Sequence, residues 1–140
     1  MSKRCITAAL SLAMLVWIPT SSSADGYGFM TPSGNILCNG SIDGSDIACT
    51  IVERSGPLPQ PKPRDCTGYW GHEIQLDRNG PARLACAPRA PRRANYSDIA
   101  PYGVGARFGQ IFCQSERTGL TCRNADGHGF FLSRRQQRLF

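Results

Sequence analysis

Histidine is scarce in this sequence: His72 and His128 are the only two among 140 residues. No Cys-x-x-Cys pair occurs, and the cysteine spacings do not match the ligand spacing of structural zinc. A phosphate-cradling Gly-Lys loop is missing, as is a Gly-x-Ser-x-Gly elbow, which excludes two common routes to phosphate binding and hydrolysis. No apolar run reaches the ~20 residues that a membrane-spanning helix needs. The longest, Ile6 to Ile18, follows Lys3 and Arg4 and ends at Pro19, with small residues at Ser22-Ser23-Ala24. That order predicts a secretory signal peptide over residues 1–24, cleaved near Ala24. Cys5 precedes the apolar run, so it is not placed to carry a lipid after processing.

What remains, residues 25–140, is predicted to be one domain, large enough to bury a core. The whole chain carries a net charge of +6. Cleavage removes Lys3 and Arg4 and none of the ten acids, leaving a weakly basic +4. This is not the dense basic patch of a nucleic-acid binder, and no nucleic-acid partner is expected. The 15 glycines and 10 prolines, with no sustained helical period, point to strands and turns. Four prolines at alternating positions, Pro57 to Pro63, read as an extended surface connector.

The chain repeats itself. Gly34-Asn35-Ile36-Leu37-Cys38 returns as Gly109-Gln110-Ile111-Phe112-Cys113. Each copy runs on to a second cysteine, Ile47-Ala48-Cys49 and then Leu120-Thr121-Cys122. Gly71-His72 is echoed by Gly127-His128. The pseudo-repeats span about residues 29–76 and 104–134. Without Cys5, six cysteines remain, an even count that in an exported chain predicts three disulfides. If the two copies fold alike, Cys38–Cys49 and Cys113–Cys122 are equivalent bridges, and Cys66–Cys86 is the pair left over.

Hairpins are predicted from 36–40 to 46–52 around Asp43-Gly44, from 111–115 to 120–124 around Thr118-Gly119, and from 73–76 to 83–87 across Asn79-Gly80. A last short strand is predicted over 130–133, and the tail from 134 is left open. The expected fold class is all-β: a small disulfide-braced barrel or sandwich built from two related hairpin units.

Pro32-Ser33-Gly34-Asn35-Ile36-x-Cys38, Pro101-Tyr102-Gly103, Phe112-Cys113-x-Ser115, Gly119-x-x-Cys122 and Gly127-His128-Gly129-Phe130-x-x-Ser133-Arg134 stand in one order. Together they resemble a family of small exported bacterial proteins that carries a domain of unknown function. The resemblance covers about residues 29–140. It implies a soluble secreted protein or a lipoprotein, and the missing lipoprotein cysteine favours a free periplasmic or secreted form. It implies no established reaction, so no catalytic residue is carried over.

One candidate chemistry follows from the residues. Two imidazoles titrating near neutrality can serve as acid and base in phosphodiester cleavage, so His72 and His128 are the catalytic pair if the protein is a small secreted ribonuclease. The plainer reading is that each Gly-His marks a turn into a strand, because a repeat places like residues at like positions without any chemistry. Pro32 to Asn35 is likewise explained as a turn in which Gly34 supplies positive φ.

Aromatic residues are the better guide to a surface. Phe112, Phe130 and Trp70 lie beside cysteines or strand starts and are assigned to the core. Phe130 and Phe131 are neighbours on one strand and so face opposite sides. Tyr102, between Pro101 and Gly103, is placed on a loop. Tyr102 and Phe131 are therefore the expected binding residues, since aromatics mixed with arginine suit protein or glycan contacts.

The function read from the sequence is an exported, non-enzymatic binding module for a protein or envelope component. It is expected to be monomeric, with neither cofactor nor metal. A two-histidine hydrolase and an inhibitor of an exogenous enzyme are the alternatives. Non-reducing peptide mapping of the purified protein checks the repeat argument: it should recover the 38–49, 66–86 and 113–122 links, and a Cys38–Cys113 link would contradict it.

Overall fold

The computed structural model describes residues 26–41 and 43–140, so the segment read as a signal peptide lies outside the described residues. The first five strands are β1 Gly26–Met30, β2 Ile36–Ser41, β3 Asp46–Ile51, β4 Tyr69–Leu76 and β5 Arg83–Ala87. They form one antiparallel sheet in sequence order. β6 Gly105–Phe108, β7 Ile111–Glu116, β8 Gly119–Arg123, β9 Gly129–Leu132 and β10 Gln137–Leu139 form a second sheet in the same manner. The fold is all-β among the described residues. The two sheets remain separate five-stranded meanders, so the architecture is a sandwich and not a closed barrel.

Period-two alternation explains which face each strand buries. On β7, Ile111, Cys113 and Ser115 are buried, while Phe112 and Glu116 are exposed. On β8, Leu120 and Cys122 point into the core. One apolar cluster takes Ile36, Ile47, Ile51, Ile74 and Leu76 from the first sheet and Ile111, Leu120, Phe130 and Leu132 from the second. Phe29 of β1 stacks on Phe108 of β6, with ring centroids 5.5 Å apart, and so joins the two sheets where these edge strands meet.

The placement of Phe112 in the core is corrected: its side chain is 40% exposed. Its neighbour Cys113 turns inward, and adjacent residues on a strand face opposite sides. Phe130 is fully buried, and Trp70 is half-buried against the core. β1, β6 and β10 have no clear signal in the sequence. The first two are short and glycine-bearing, and the third lies in the polar tail, where Leu139 alone packs on the core.

Cys38 pairs directly opposite Cys49 in the β2–β3 ladder, and Cys113 opposite Cys122 in the β7–β8 ladder. Both pairs are disulfides, and all four cysteines belong to the shared core. Cys66–Cys86 ties the end of the proline-rich connector to β5. Bridges over loops this short contribute about 2–4 kcal/mol each, mainly by restricting the unfolded chain.

A second join between the sheets is polar. Asn124, buried after β8, donates its amide to the backbone oxygens of Asp77 (3.0 Å) and Gly80 (2.7 Å) in the β4–β5 turn. Asp126 accepts from the Gly80 N–H at 2.7 Å and from the Asn79 amide at 2.8 Å. These two hydrogen bonds, the backbone one foremost, hold its carboxyl below the ordinary aspartate range. Removing a buried donor that serves two carbonyls costs about 1–3 kcal/mol. Asn124→Ala should therefore lower the unfolding free energy by that amount, read as a lower urea midpoint at unchanged slope; an unchanged midpoint would show that the turns do not depend on each other.

Candidate functional site

Four stretches that are distant in sequence meet in an open cavity of about 230 Å³. They are the turn after β1, the loop before β6, the β7–β8 turn and the segment after β9. Ser33, Tyr102, Glu116, Arg117, Thr118 and Arg134 supply its polar and aromatic lining.

The turn after β1 is built by its own hydrogen bonds. Gly34 takes φ 66°, a left-handed conformation that glycine adopts without strain. Its N–H donates to the Thr31 carbonyl at 2.8 Å, and Thr31 N–H donates to the Ile36 carbonyl at 2.9 Å. The buried Asn35 side chain donates to the Glu53 carbonyl at 2.9 Å and accepts from the Glu53 N–H at 2.8 Å. Asn35 thus uses its amide as a substitute strand partner, which leaves Ser33 exposed at the cavity wall.

Tyr102 is positioned by Ser115. The Ser115 hydroxyl, buried at the end of β7, donates to the Ala100 carbonyl at 3.0 Å. Its backbone accepts from Gly103 N–H at 2.7 Å and donates to the Val104 carbonyl at 3.0 Å. Three bonds from one residue fix the loop on both sides of Tyr102. The ring itself is 36% exposed, with the Arg117 guanidinium 5.2 Å from its centroid. Such a pair at an exposed site contributes about 0.5–1 kcal/mol.

Glu53 holds the opposite rim. One carboxylate oxygen meets Arg134 at 2.8 Å and the other Arg93 at 3.1 Å. All three side chains are about half exposed, so each pair contributes at most about 1 kcal/mol. The consequence is positional: Arg134 stays at the cavity edge. With Arg117, it presents donors that match carboxylate or phosphate oxygens in a two-pronged geometry.

Phe131 is half-buried on β9, with the Arg138 guanidinium 5.2 Å from its ring centroid. It does not line the cavity. It lies behind the β7–β8 turn, where a Cβ added to Gly119 would come within 2.7 Å of its ring. Tyr102 and Phe131 therefore approach the same turn, the first at Arg117 and the second at Gly119.

The histidines are separated. His72 sits in the irregular stretch of β4 between Tyr69 and Glu73, and its Nδ1 lies 2.8 Å from the Ile51 carbonyl. It lines another cavity, of about 310 Å³, between the outer face of the first sheet and the 87–96 stretch. His128 precedes β9 in the second sheet, and its carbonyl accepts from Asn124 N–H at 2.8 Å. His128 lines neither that cavity nor the Tyr102 cavity. The described residues hold no group of three or more His, Cys, Asp or Glu side chains able to share a metal ion.

Sequence reasoning did not single out Glu116 and Arg117. The Thr118-Gly119 turn signal carried that information, because it puts the residues just before it at the tip of a hairpin. Arg134 was visible only as the last residue of a motif.

Fold and site together define a small disulfide-braced β-sandwich with an open, arginine-bearing cavity at the ends of its strands. The chain belongs to a family of unknown function (DUF6636), whose model matches residues 9–140. No curated protein and no solved structure matches it. Three disulfides are consistent with an oxidising extracellular or periplasmic location. No helix among the described residues is long and apolar enough to cross a membrane.

Ser115→Ala removes the hydroxyl that holds the Tyr102 loop and leaves the Ala100 carbonyl without it. Stability should fall by about 1–3 kcal/mol. Amide exchange should accelerate across residues 100–104 while β2 and β3 stay protected; unchanged exchange in that loop would show that Ser115 does not position it.

Proposed function

We propose that the protein is an exported, non-enzymatic binding module that grips a protein or envelope component at the Tyr102 cavity. The observation that carries this reading is the convergence of four separate chain segments on one solvent-open cavity. It combines an aromatic ring, two guanidinium groups and exposed hydroxyls. Recognition sites are commonly made this way: an aromatic residue supplies contact area at low entropic cost, and arginine supplies directional charge. The loop is anchored at three points by Ser115, so Tyr102 is held before a partner arrives and less ordering is needed on binding.

The hydrolase alternative gains no support from this geometry. His72 engages a backbone carbonyl, and His128 belongs to the other sheet. A free chain in the periplasm or medium, released by cleavage near Ala24, is the location that suits an oxidised binding module.

The test is affinity capture from envelope extract with the oxidised protein, comparing wild type with Tyr102→Ala and Arg117→Gln. Each substitution should weaken retention of the captured component by about tenfold, equivalent to about 1.4 kcal/mol. Equal retention by both variants would remove the cavity as the binding site. Hydrolysis of RNA by the wild type, lost in His72→Ala and in His128→Ala, would replace the reading with the enzymatic one.

A further inference from the structure

The outer face of the second sheet carries a pattern that the Tyr102 cavity does not use. Crossing the sheet from one edge to the other, the outward residues include Arg107 on β6, Phe112 on β7, Arg123 on β8, Phe131 on β9 and Arg138 on β10. The ladders set them in two rows: Arg107 is opposite Phe112, Phe112 opposite Arg123 and Arg123 opposite Gly129, while Phe131 stands between Thr121 and Arg138 in a second row two residues along. Arginine and phenylalanine thus alternate strand by strand. Neighbouring strands stand about 4.8 Å apart, so Arg107 and Arg123 lie about 10 Å apart across the sheet, with Arg138 offset along the strands.

Each arginine lies against an aromatic ring. Arg107 lies 5.4 Å from the Phe112 ring centroid and Arg138 5.2 Å from that of Phe131. Arg123 lies 4.7 Å from the Phe140 ring centroid and donates one arm to the Gly127 carbonyl at 3.2 Å. Glycine makes room for this arrangement: a Cβ at Gly129 would collide with the Cys122 carbonyl and reach 3.0 Å from Phe140, and one at Gly105 would come within 2.5 Å of Phe112. Between the charged rows lies a trough of about 380 Å³ that includes the polar side chains of Gln110, Gln114 and Thr121. The only acid among the strand residues of this sheet is Glu116, at the far end of β7 beside the cavity.

We propose that this face binds an acidic polysaccharide, a chain of sugars bearing carboxylates at intervals, laid across the strands. Charge complementarity supports this occupant. Three guanidinium groups on one face, Arg107 and Arg123 in one row and Arg138 two residues along, with Glu116 confined to one end, match a polyanion and pair with carboxylates through two parallel hydrogen bonds. Flat apolar and guanidinium surfaces between them suit the CH faces of sugar rings. The neutral amides and the threonine hydroxyl in the trough match sugar hydroxyls, which both donate and accept.

Single-stranded nucleic acid fits less well, because base stacking uses free aromatic faces and here each ring is already covered by a guanidinium. An anionic membrane surface fits less well too, since interfacial binding relies on apolar side chains that project into lipid. The rings here lie within a flat sheet face, capped by charge.

The experiment measures binding of the oxidised protein to polygalacturonate, with neutral dextran, a poly(dT) oligonucleotide and phosphatidylglycerol vesicles as comparisons. The proposal expects binding to polygalacturonate, weakened by salt, and none to dextran. Arg123→Gln and Arg107→Gln should each weaken it by about tenfold. Phe112→Ala, which frees Arg107 from its ring, should weaken it less, and Tyr102→Ala should leave it unchanged. All four positions are exposed, so the thermal midpoint should move little. Failure to bind polygalacturonate would overturn the proposal, as would tighter binding to oligonucleotide or vesicles with the same arginine dependence. Loss in Tyr102→Ala but not in the arginine variants would overturn it too, and would return the binding to the cavity.

Discussion

Two disulfides, each between directly opposite residues of a central hairpin, fix the register of the strands they join. Cys38 opposite Cys49 and Cys113 opposite Cys122 both point into the space between the sheets. Because side chains alternate with period two, turning a cysteine inward turns its neighbours outward. Cys113 inward places Ile111 and Ser115 in the core and Phe112 and Gln114 on the surface. Cys122 inward leaves Thr121 and Arg123 outside. A slip of one residue would reverse all of these and place Arg123 among the isoleucines. The bridges hold β2 to β3 and β7 to β8 against such a slip in the oxidised chain.

The same parity connects the core to the two surfaces. Ser115 is a polar residue in an inward position, and it is tolerated because its hydroxyl finds the Ala100 carbonyl. That bond sets the loop bearing Tyr102, so the Tyr102 cavity is a direct product of core register. The arginine-phenylalanine face is the other product, made of what β6 to β10 turn away from the core. On the first sheet, Leu37 is an outward position that is nonetheless buried, because the stretch from Ala87 to Tyr96 passes over it. On the second sheet, Phe112 and Phe140 remain exposed.

Much of this was legible in the residues. The hairpins β2–β3, β4–β5 and β7–β8 stand where turn signals separate β-rich runs, and the repeat made the cysteine positions equivalent. The glycine turn before Ile36 was read correctly, since Gly34 takes the positive φ that the Pro-Ser-Gly-Asn order implies. The edge strands were not legible. Gly105 to Phe108 and Gln137 to Leu139 have weak propensity of their own and are strands because a paired neighbour holds them. Adjacency to Cys113 suggests a core place for Phe112, whereas strand alternation turns it outward. The cavity escaped notice for a different reason: Glu116, Arg117 and Arg134 become neighbours of Tyr102 only through tertiary packing, which sequence spacing does not express.

Parity is the claim on which both surfaces stand, and hydroxyl-radical footprinting of the oxidised native protein tests it most directly. Oxidation read by peptide mass spectrometry should be strong at Phe112 and weak at Phe130 and Phe108, which are 0% and 3% exposed against 40% for Phe112. Strong protection of Phe112 together with modification of Phe130 would contradict the register, and with it both proposed surfaces.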